Sequence, residues 1–309
     1  MTLPSKKRIA LIGLGKIAQK AYLPFVVHHP EIQAVFCTRN QDTLVALAQR
    51  YRVSETYASI DRLIAGQPDA AMVHSTTASH FELVRKLLEA NIPVFVDKPL
   101  SDRIEECDAL LQLAAQKQLP LYVGFNRRFA PLIRQLKDQA PARHILWMKN
   151  RVKLAENPRT FIFDDFIHVL DSLRFLAEGP ISDLQVKAHM QEGLLEDLHV
   201  QWQQGDTLLC GTMNRLSGRT EERVEYFAPG HKWEIQELHS GTHYFEGKQE
   251  ALGFGNWTST LHKRGFHAMF EDWLDRLDTS EPLAESLEDI RTTHQLCETI
   301  LSRITPLEG

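Results

Sequence analysis

The sequence predicts an α/β chain: an N-terminal doubly wound parallel sheet followed by a C-terminal α+β domain with a largely antiparallel open sheet. Three observations lead there. At 309 residues the chain exceeds what one core ordinarily serves, since single cores stop growing near ~250–300 residues. Residues 1–125 alternate short apolar runs with helical periodicity, as βαβ units do. From His144 to Gly247 the pattern becomes a series of alternating segments, as in sheets with one wet face. The expected domains are 1–125 and 126–309.

In chain order, Arg8–Gly13 (RIALIG) reads as a buried strand and Lys16–His28 as a helix that Pro24 breaks or kinks. Gln33–Cys37 is a strand, and Gln41–Tyr51 an amphipathic helix with Leu44, Leu47 and Ala48 on one face. Ala70–His74 is a strand followed by a Ser/Thr-rich turn and a helix over His80–Ala90. Val94–Val96, the helix Ile104–Gln118 and the strand Leu119–Gly124 close the first sheet. A helix over Pro131–Asp138 leads into the strands Ile145–Val152, Asp183–His189, Leu195–Trp202, Thr207–Met213, Arg223–Phe227 and Trp233–Leu238. Helical periodicity returns at Gly265–Leu277 and Ser286–Ile304.

Composition narrows the function. With 43% hydrophobic and 24% charged residues, a net charge of -5 and a mean hydropathy of -0.28, the chain reads as a soluble globular protein. It lacks the clustered basic excess that nucleic acid or an anionic membrane requires. Cys37, Cys107, Cys210 and Cys297 are widely spaced, with no C-x-x-C pair, which speaks against zinc and against a disulfide framework. No metal site is expected, and a reducing compartment is. The start, MTLPSKKRIALIGLGKIA, resembles a signal peptide, but its apolar run is short and broken by glycines. No ~18-residue apolar stretch occurs. The expected location is cytoplasmic.

Gly13-Leu14-Gly15-Lys16-Ile17-Ala18 follows a strand and opens a helix. This is the G-x-G-x-x-A fingerprint of a Rossmann domain. The first glycine allows the tight turn, the second admits a pyrophosphate to the backbone, and Ala18 keeps helix and sheet close. The helix start offers N–H groups and the positive dipole end to the phosphates. The acid usual at the end of the second strand, which would hold a ribose 2′-hydroxyl, is replaced by Thr38-Arg39. A carboxylate there repels a 2′-phosphate, whereas a guanidinium binds it. NADP(H) is therefore favoured over NAD(H), the other reading being that Arg39 stacks on adenine and tolerates both.

Further motifs follow in order: Ser75-Thr76-Thr77-Ala78-Ser79-His80, Val96-Asp97-Lys98-Pro99-Leu100, Gly124-Phe125-Asn126-Arg127-Arg128-Phe129, and Asp164-x-Phe166-x-His168-x-x-Asp171. Together with the glycine turn, they make the chain resemble the Gfo/Idh/MocA oxidoreductases over nearly its whole length, and among them the MviM-type members. The resemblance implies hydride transfer between nicotinamide and a hydroxyl or carbonyl carbon of a sugar, polyol or related molecule. It also implies a homodimer or higher homo-oligomer formed through the C-terminal sheet. A non-catalytic NAD(P)-binding sensor, or an NAD-dependent hydrolase or lyase, are the other readings of the same scaffold.

The motif usually written Glu-Lys-Pro is here Asp97-Lys98-Pro99, one methylene shorter. Where the pattern has a glycine two residues after the site aspartate there is Phe166, which is expected to narrow the room beside the substrate.

The catalytic candidates are Lys98, Asp164 and His168. Lys98, between an apolar strand and a proline, can stabilise a developing alkoxide. Asp164 and His168 are spaced i, i+4 and share a face if 165–176 is helical. The resemblance makes His168 the general base and Asp164 its orienting partner, and histidine suits proton transfer near neutrality. Ser75, Thr76, Thr77, Asp97 and Lys98 are expected at the cofactor beside Gly13, Gly15, Lys16, Ile17, Ala18, Thr38 and Arg39. His80 either caps its helix or reaches the cofactor. Substrate contacts are expected from Lys98, Asn126, Arg127, Asp164 and His168. Arg128 reads equally as a substrate or nicotinamide contact and as a helix-surface charge, Asp171 as structural or as a support behind His168, and Trp202, Trp233 and Trp257 more readily as core or interface than as a sugar site.

Overall fold

The computed structural model describes residues 6–279 and 283–304; the first five residues of the signal-like start lie outside them. The chain divides into two compact units: Met1–Gly124 with Phe270–Arg291, and Phe125–Met269 with Thr292–Gly309.

The first unit carries a six-stranded sheet in the order β3-β2-β1-β4-β5-β6, all its pairs parallel. The strands are β1 (Lys7–Ile12), β2 (Ile32–Cys37), β3 (Glu55–Tyr57), β4 (Ala70–Val73), β5 (Val94–Val96) and β6 (Leu121–Val123). Strands β4 and β5 are buried throughout, as a sheet covered on both faces requires. The reversal of order between β1 and β4 is the switch point at which such sheets bind ligands. Helices α1 (Gln41–Tyr51), α2 (Thr77–Glu89) and α3 (Ile104–Lys117) connect the strands. Asn40 caps α1 by accepting a bond from the Thr43 amide.

Pro24 acts as its chemistry demands. The helix over 16–26 passes through a π-turn at Ala18–Tyr22 before resuming at Leu23–Val26. A proline has no N–H to donate, and the widened turn brings it to the start of a fresh α segment.

The C-terminal helices are α5 (Phe266–Arg276) and α6 (Leu283–Ile304). Residues 270–291 belong to the first unit because α5 is anchored there by aromatic packing. Phe270 sits on Phe25 at 5.4 Å and Trp273 on Phe95 at 5.6 Å, and the Tyr122 hydroxyl donates to Asp272 at 2.9 Å. Half-buried His29 lies 3.4 Å from Glu271. A division cutting the chain once after residue 125 does not describe this return.

The second unit is an eight-stranded sheet in the order β14-β13-β12-β11-β7-β10-β9-β8. Its strands are β7 (His144–Asn150), β8 (Ile181–Gln191), β9 (Leu194–Gln204), β10 (Thr207–Asn214), β11 (Glu221–Ala228), β12 (His231–Gln236), β13 (Ser240–Phe245) and β14 (Lys248–Leu252). Only β7 and β10 run parallel; every other pair is antiparallel. Sequence periodicity misses β13 and β14, whose residues are all half-buried or exposed and so show no alternation.

Helix α4 (Ile167–Leu176) packs on β7 and β10, preceded by a π-turn at Phe161–Phe166. The ring of Phe166 is fully buried. A Cβ on Gly211 of β10 would lie 2.9 Å from Val169, 3.2 Å from Leu173 and 3.3 Å from Phe166. The expectation that Phe166 narrows the room beside a substrate is corrected: its volume goes into the core that Gly211 leaves open.

Gly13 has φ +82°, and a Cβ there would lie 2.8 Å from the Ser75 amide nitrogen and 2.9 Å from Ser75 Cα. Backbone atoms cannot swing aside as a side chain can. Gly13→Ala is expected to lower stability by about 1–3 kcal/mol and to abolish dinucleotide binding, measured by thermal melts with and without NADPH. An unchanged melting temperature with ligand response intact would contradict this.

Candidate active site

The carboxyl ends of β1, β4 and β5 converge at the switch point. The first backbone bond of the helix after β1 runs from the Gln19 amide to the Gly15 carbonyl at 3.1 Å, which leaves the amides of residues 16 and 17 at the helix mouth. Gly15, Lys16 and Ile17 are exposed while Leu14 and Ala18 are buried. Nothing lies within 4 Å of a Cβ built on Gly15. The turn is an open cradle lined by backbone donors, and its shape fits a pyrophosphate. At the end of β2, Thr38 is half-buried and Arg39 exposed, and Asn40 is used as a cap. Cys37–Gln41 at that strand end include no acid, the first being Asp42 in the opening turn of α1.

Beyond β4 the turn 75–77 leads into α2, which begins at Thr77, three residues earlier than sequence periodicity places it. Ser75 and Thr77 are half-buried and Thr76 is exposed. The Ser79 hydroxyl donates to the Ser75 hydroxyl at 2.8 Å. His80 is buried, with Nδ1 2.8 Å from the Pro99 carbonyl and Nε2 3.2 Å from that of Ser75. Burial lowers its pKa, against the opposite pull of the two carbonyls. The ring ties the 75–77 turn to the Lys98–Pro99 loop rather than facing a ligand.

Asp97 is likewise turned inward. Its Oδ1 accepts from the Tyr22 hydroxyl at 2.6 Å and its Oδ2 lies 3.0 Å from His74 Nδ1. Burial alone would raise this carboxyl, but His74 and the Tyr22 hydrogen bond outweigh it and hold it below the usual range. Lys98, half-buried, follows directly at the end of β5, ahead of a cis peptide bond to Pro99.

In the second unit, the segment Phe161–Leu170 buries every residue except two: Asp164 is exposed and His168 is half-buried. These two polar side chains are the accessible part of an element that is otherwise buried, its one other charged residue, Asp165, included. Asp171 is buried and takes a bidentate bond from Arg128, at 2.8 and 2.5 Å. Arg128 is thus an internal partner, not a surface charge.

Asn126 and Arg127 are also committed inward. Asn126 Nδ2 donates to the Arg264 carbonyl at 2.8 Å. Arg127 forms a bidentate pair with Glu222 at 2.6 and 3.0 Å, and Trp147 Nε1 donates to the same carboxylate at 3.1 Å. Neither residue presents a free group for substrate. Trp202 and Trp233 are core, and Trp257 is fully exposed.

The Arg127–Glu222 pair belongs to a buried charge network that includes Lys149, Asp165 and Arg151. Lys149 donates to the Asp165 carboxylate, which also takes Arg151 at 2.9 and 3.0 Å. Burial, and next the Arg127 charge, push the Lys149 ammonium down to about 7, against the opposite pull of Asp165 and Glu222. Burial would raise Asp165, but Lys149 and Arg151 hold it well below the carboxylate range. This network fixes the strand ends beneath the turn that carries Asp164. Its signal is present in the sequence, because in HILWMKN the alternation that buries Ile145 and Trp147 also buries Lys149. In EERVEYFA it buries Glu222 with Val224 and Tyr226.

Over residues 7–125 the chain matches the model of an oxidoreductase family with an NAD-binding Rossmann fold, and over 131–244 that of a YceM-like C-terminal domain. It is 32% identical over 284 residues to the protein YceM of Salmonella typhimurium, named as an oxidoreductase, covering 87% of this chain and 88% of that one. The chain belongs to the Gfo/Idh/MocA family. A solved family oxidoreductase from Vibrio cholerae superposes with a TM-score of 0.92 at 41% identity, covering 97% of this chain and 98% of that one. A myo-inositol dehydrogenase of Streptomyces leeuwenhoekii is 38% identical over 138 residues, 43% of this chain and 41% of the relative. This family member is therefore an oxidoreductase with an NAD-binding domain. No described helix is long and apolar enough to cross a membrane, and the described residues hold no cluster suited to a metal ion.

Proposed function

We propose that this enzyme transfers hydride between NADP(H), favoured over NAD(H), and the hydroxyl or carbonyl carbon of a sugar, polyol or related small molecule. The observation that carries the reading is the pair Asp164–His168, accessible on an element that otherwise buries every side chain, in a chain whose glycine turn is an open cradle. When bound, the nicotinamide supplies the hydride acceptor or donor. Gly13, Gly15, Lys16, Ile17 and Ala18 hold the pyrophosphate, and Ser75, Thr76 and Thr77 flank it. Lys98 stabilises negative charge on the reacting oxygen. His168 takes that oxygen's proton, and Asp164 orients the imidazole and binds a neighbouring hydroxyl. The match to a protein named for myo-inositol supports a polyhydroxy substrate.

Thr38 and Arg39 carry the cofactor preference, since Arg39 can pair with a 2′-phosphate and no acid stands there to repel it. NADPH is expected to bind about tenfold more tightly than NADH, read by fluorescence titration; equal dissociation constants would refute the preference. Thermal melts with NADPH present, against sugars, inositols, sugar acids and keto acids, identify the substrate class, since a bound ligand raises the melting temperature.

We assign the enzyme to the cytoplasm, where its four free cysteines would stay reduced. We assign it to a homo-oligomer through the uncovered face of the second sheet. There Leu146 and Leu208 stay 37% and 42% exposed, facing away from the core.

A further inference from the structure

Three consecutive strand ends of the first unit are tied together beneath the cradle by one half-buried carboxylate. Val73 of β4 is in register with Val96 of β5, so His74 and Asp97 are the next pair along. The Asp97 amide donates to the Val73 carbonyl at 3.0 Å, and the His74 amide donates to Ile12 at the end of β1 at 2.8 Å. Side chains then repeat what the backbone begins. His74 is 2% exposed, and its Nδ1 stands 3.0 Å from Asp97. An ionised carboxylate can only accept, so that nitrogen carries the proton. Its Nε2 is buried and makes no hydrogen bond among the described residues, so Asp97 alone among them orients the ring by hydrogen bonding.

Tyr22 closes the arrangement from the other side. It is fully buried, stacks on His74 at 4.0 Å with planes 27° apart, and donates to the second oxygen of Asp97. It is the last residue of the π-turn that follows the glycine cradle, so the same helix holds the cradle at one end and Asp97 at the other. Gly124, at the end of β6, leaves room for this: a Cβ there would stand 2.9 Å from Phe95 and 3.3 Å from the Tyr22 hydroxyl. Asp97 therefore has both oxygens occupied by groups from the β1 and β4 connections, and the next residue is Lys98.

We propose that Tyr22 and His74 are positioning residues: through Asp97 they hold Lys98 in fixed relation to the dinucleotide cradle. The inference rests on the role proposed for Lys98 above. A side chain at a mobile strand end would spread over several rotamers, and even ~1 Å of misplacement costs up to ~10²-fold in rate. Two charge-assisted hydrogen bonds to the preceding residue fix the strand end from which Lys98 projects. The shorter Asp97 suits this device, because its carboxylate stays close to the strand end where Tyr22 and His74 meet it.

The test uses the full chain and needs no substrate. Lysines are acetylated with limiting acetic anhydride, with and without saturating NADPH, and modification of Lys98 is read by mass spectrometry. NADPH affinity is measured in parallel by fluorescence. In the parent protein NADPH is expected to shield Lys98 about tenfold. In Tyr22→Phe and His74→Leu the shielding is expected to fall to about twofold, with NADPH affinity within about threefold of the parent. His74→Asn, which restores a donor toward Asp97, is expected to recover most of the shielding. Tyr22→Phe removes one oxygen from a packed ring, so it remains informative if His74→Leu fails to fold. Parental shielding in Tyr22→Phe would overturn the proposal, as would affinity falling in step with shielding. Absence of shielding in the parent would overturn the Lys98 role itself, a separate outcome.

Discussion

Glu222→Gln is expected to lower stability by about 3–5 kcal/mol, the cost of leaving a buried ion without its partner. The melting temperature of the cooperative unit would fall by about 10 °C. The reason lies in what surrounds the carboxylate. Arg127 grips it with two bonds, Trp147 donates a third, and Lys149 adds its charge. All four side chains are buried on the inner side of the second sheet. Glutamine keeps the shape but turns an amide N–H toward a guanidinium N–H and leaves two cations facing one another.

The same residue predicts a pH dependence. Burial would raise the Glu222 carboxyl, but Arg127 and its partners hold it at about 2 against an ordinary 4.5. The unfolded chain then takes up the proton first as pH falls, so the contribution is complete above about pH 5 and disappears toward pH 2. That difference is worth about 3 kcal/mol. Acid titration of stability should show this loss in the parent and lack it in Glu222→Gln; superimposable profiles would contradict the assignment.

Lys98→Met is expected to lower turnover by about 10²–10³-fold, the scale set by removing one preorganised donor from a developing oxyanion. NADPH affinity should stay within about threefold, because methionine keeps the apolar stem and the cradle is built from backbone. Turnover is measured with the alcohol that the melt screen identifies. A variant that turns over at the parental rate would remove Lys98 from the chemistry. If affinity collapses as well, the lysine serves binding and not the reaction.

The glycine turn, the βαβ alternation and the spacing of Asp164 and His168 were legible in the sequence because each is local. A turn needs its glycines where the backbone bends, and the spacing of two polar letters is read directly, although the structure places Asp164 in a π-turn and His168 in the helix after it. The direction of the side chains around those motifs was not legible. Asp97, His80, Asn126 and Arg127 stand at positions where a ligand contact is reasonable. Each is instead satisfied by a residue or carbonyl far along the chain or in the next loop: Tyr22 and His74, Pro99, Arg264, and Glu222. Phe166 shows the same limit. Its bulk looks like an obstruction until Gly211, 45 positions on and one strand away, proves to be the space it fills.

The sequence by itself determined that this chain would build an open dinucleotide cradle from Gly13 to Ala18, and it offered Lys98, Asp164 and His168 as the candidates for the chemistry. Periodicity and turn chemistry act over a few residues and leave their mark in the order of letters. Only the tertiary structure decided which polar groups face inward. Burying a polar atom is tolerable only when a partner waits for it, and that partner comes from whatever distant segment the fold brings alongside. For the cradle the consequence is specific: Asp97 is read as the anchor behind Lys98, and Tyr22 and His74, which no motif singled out, hold it there.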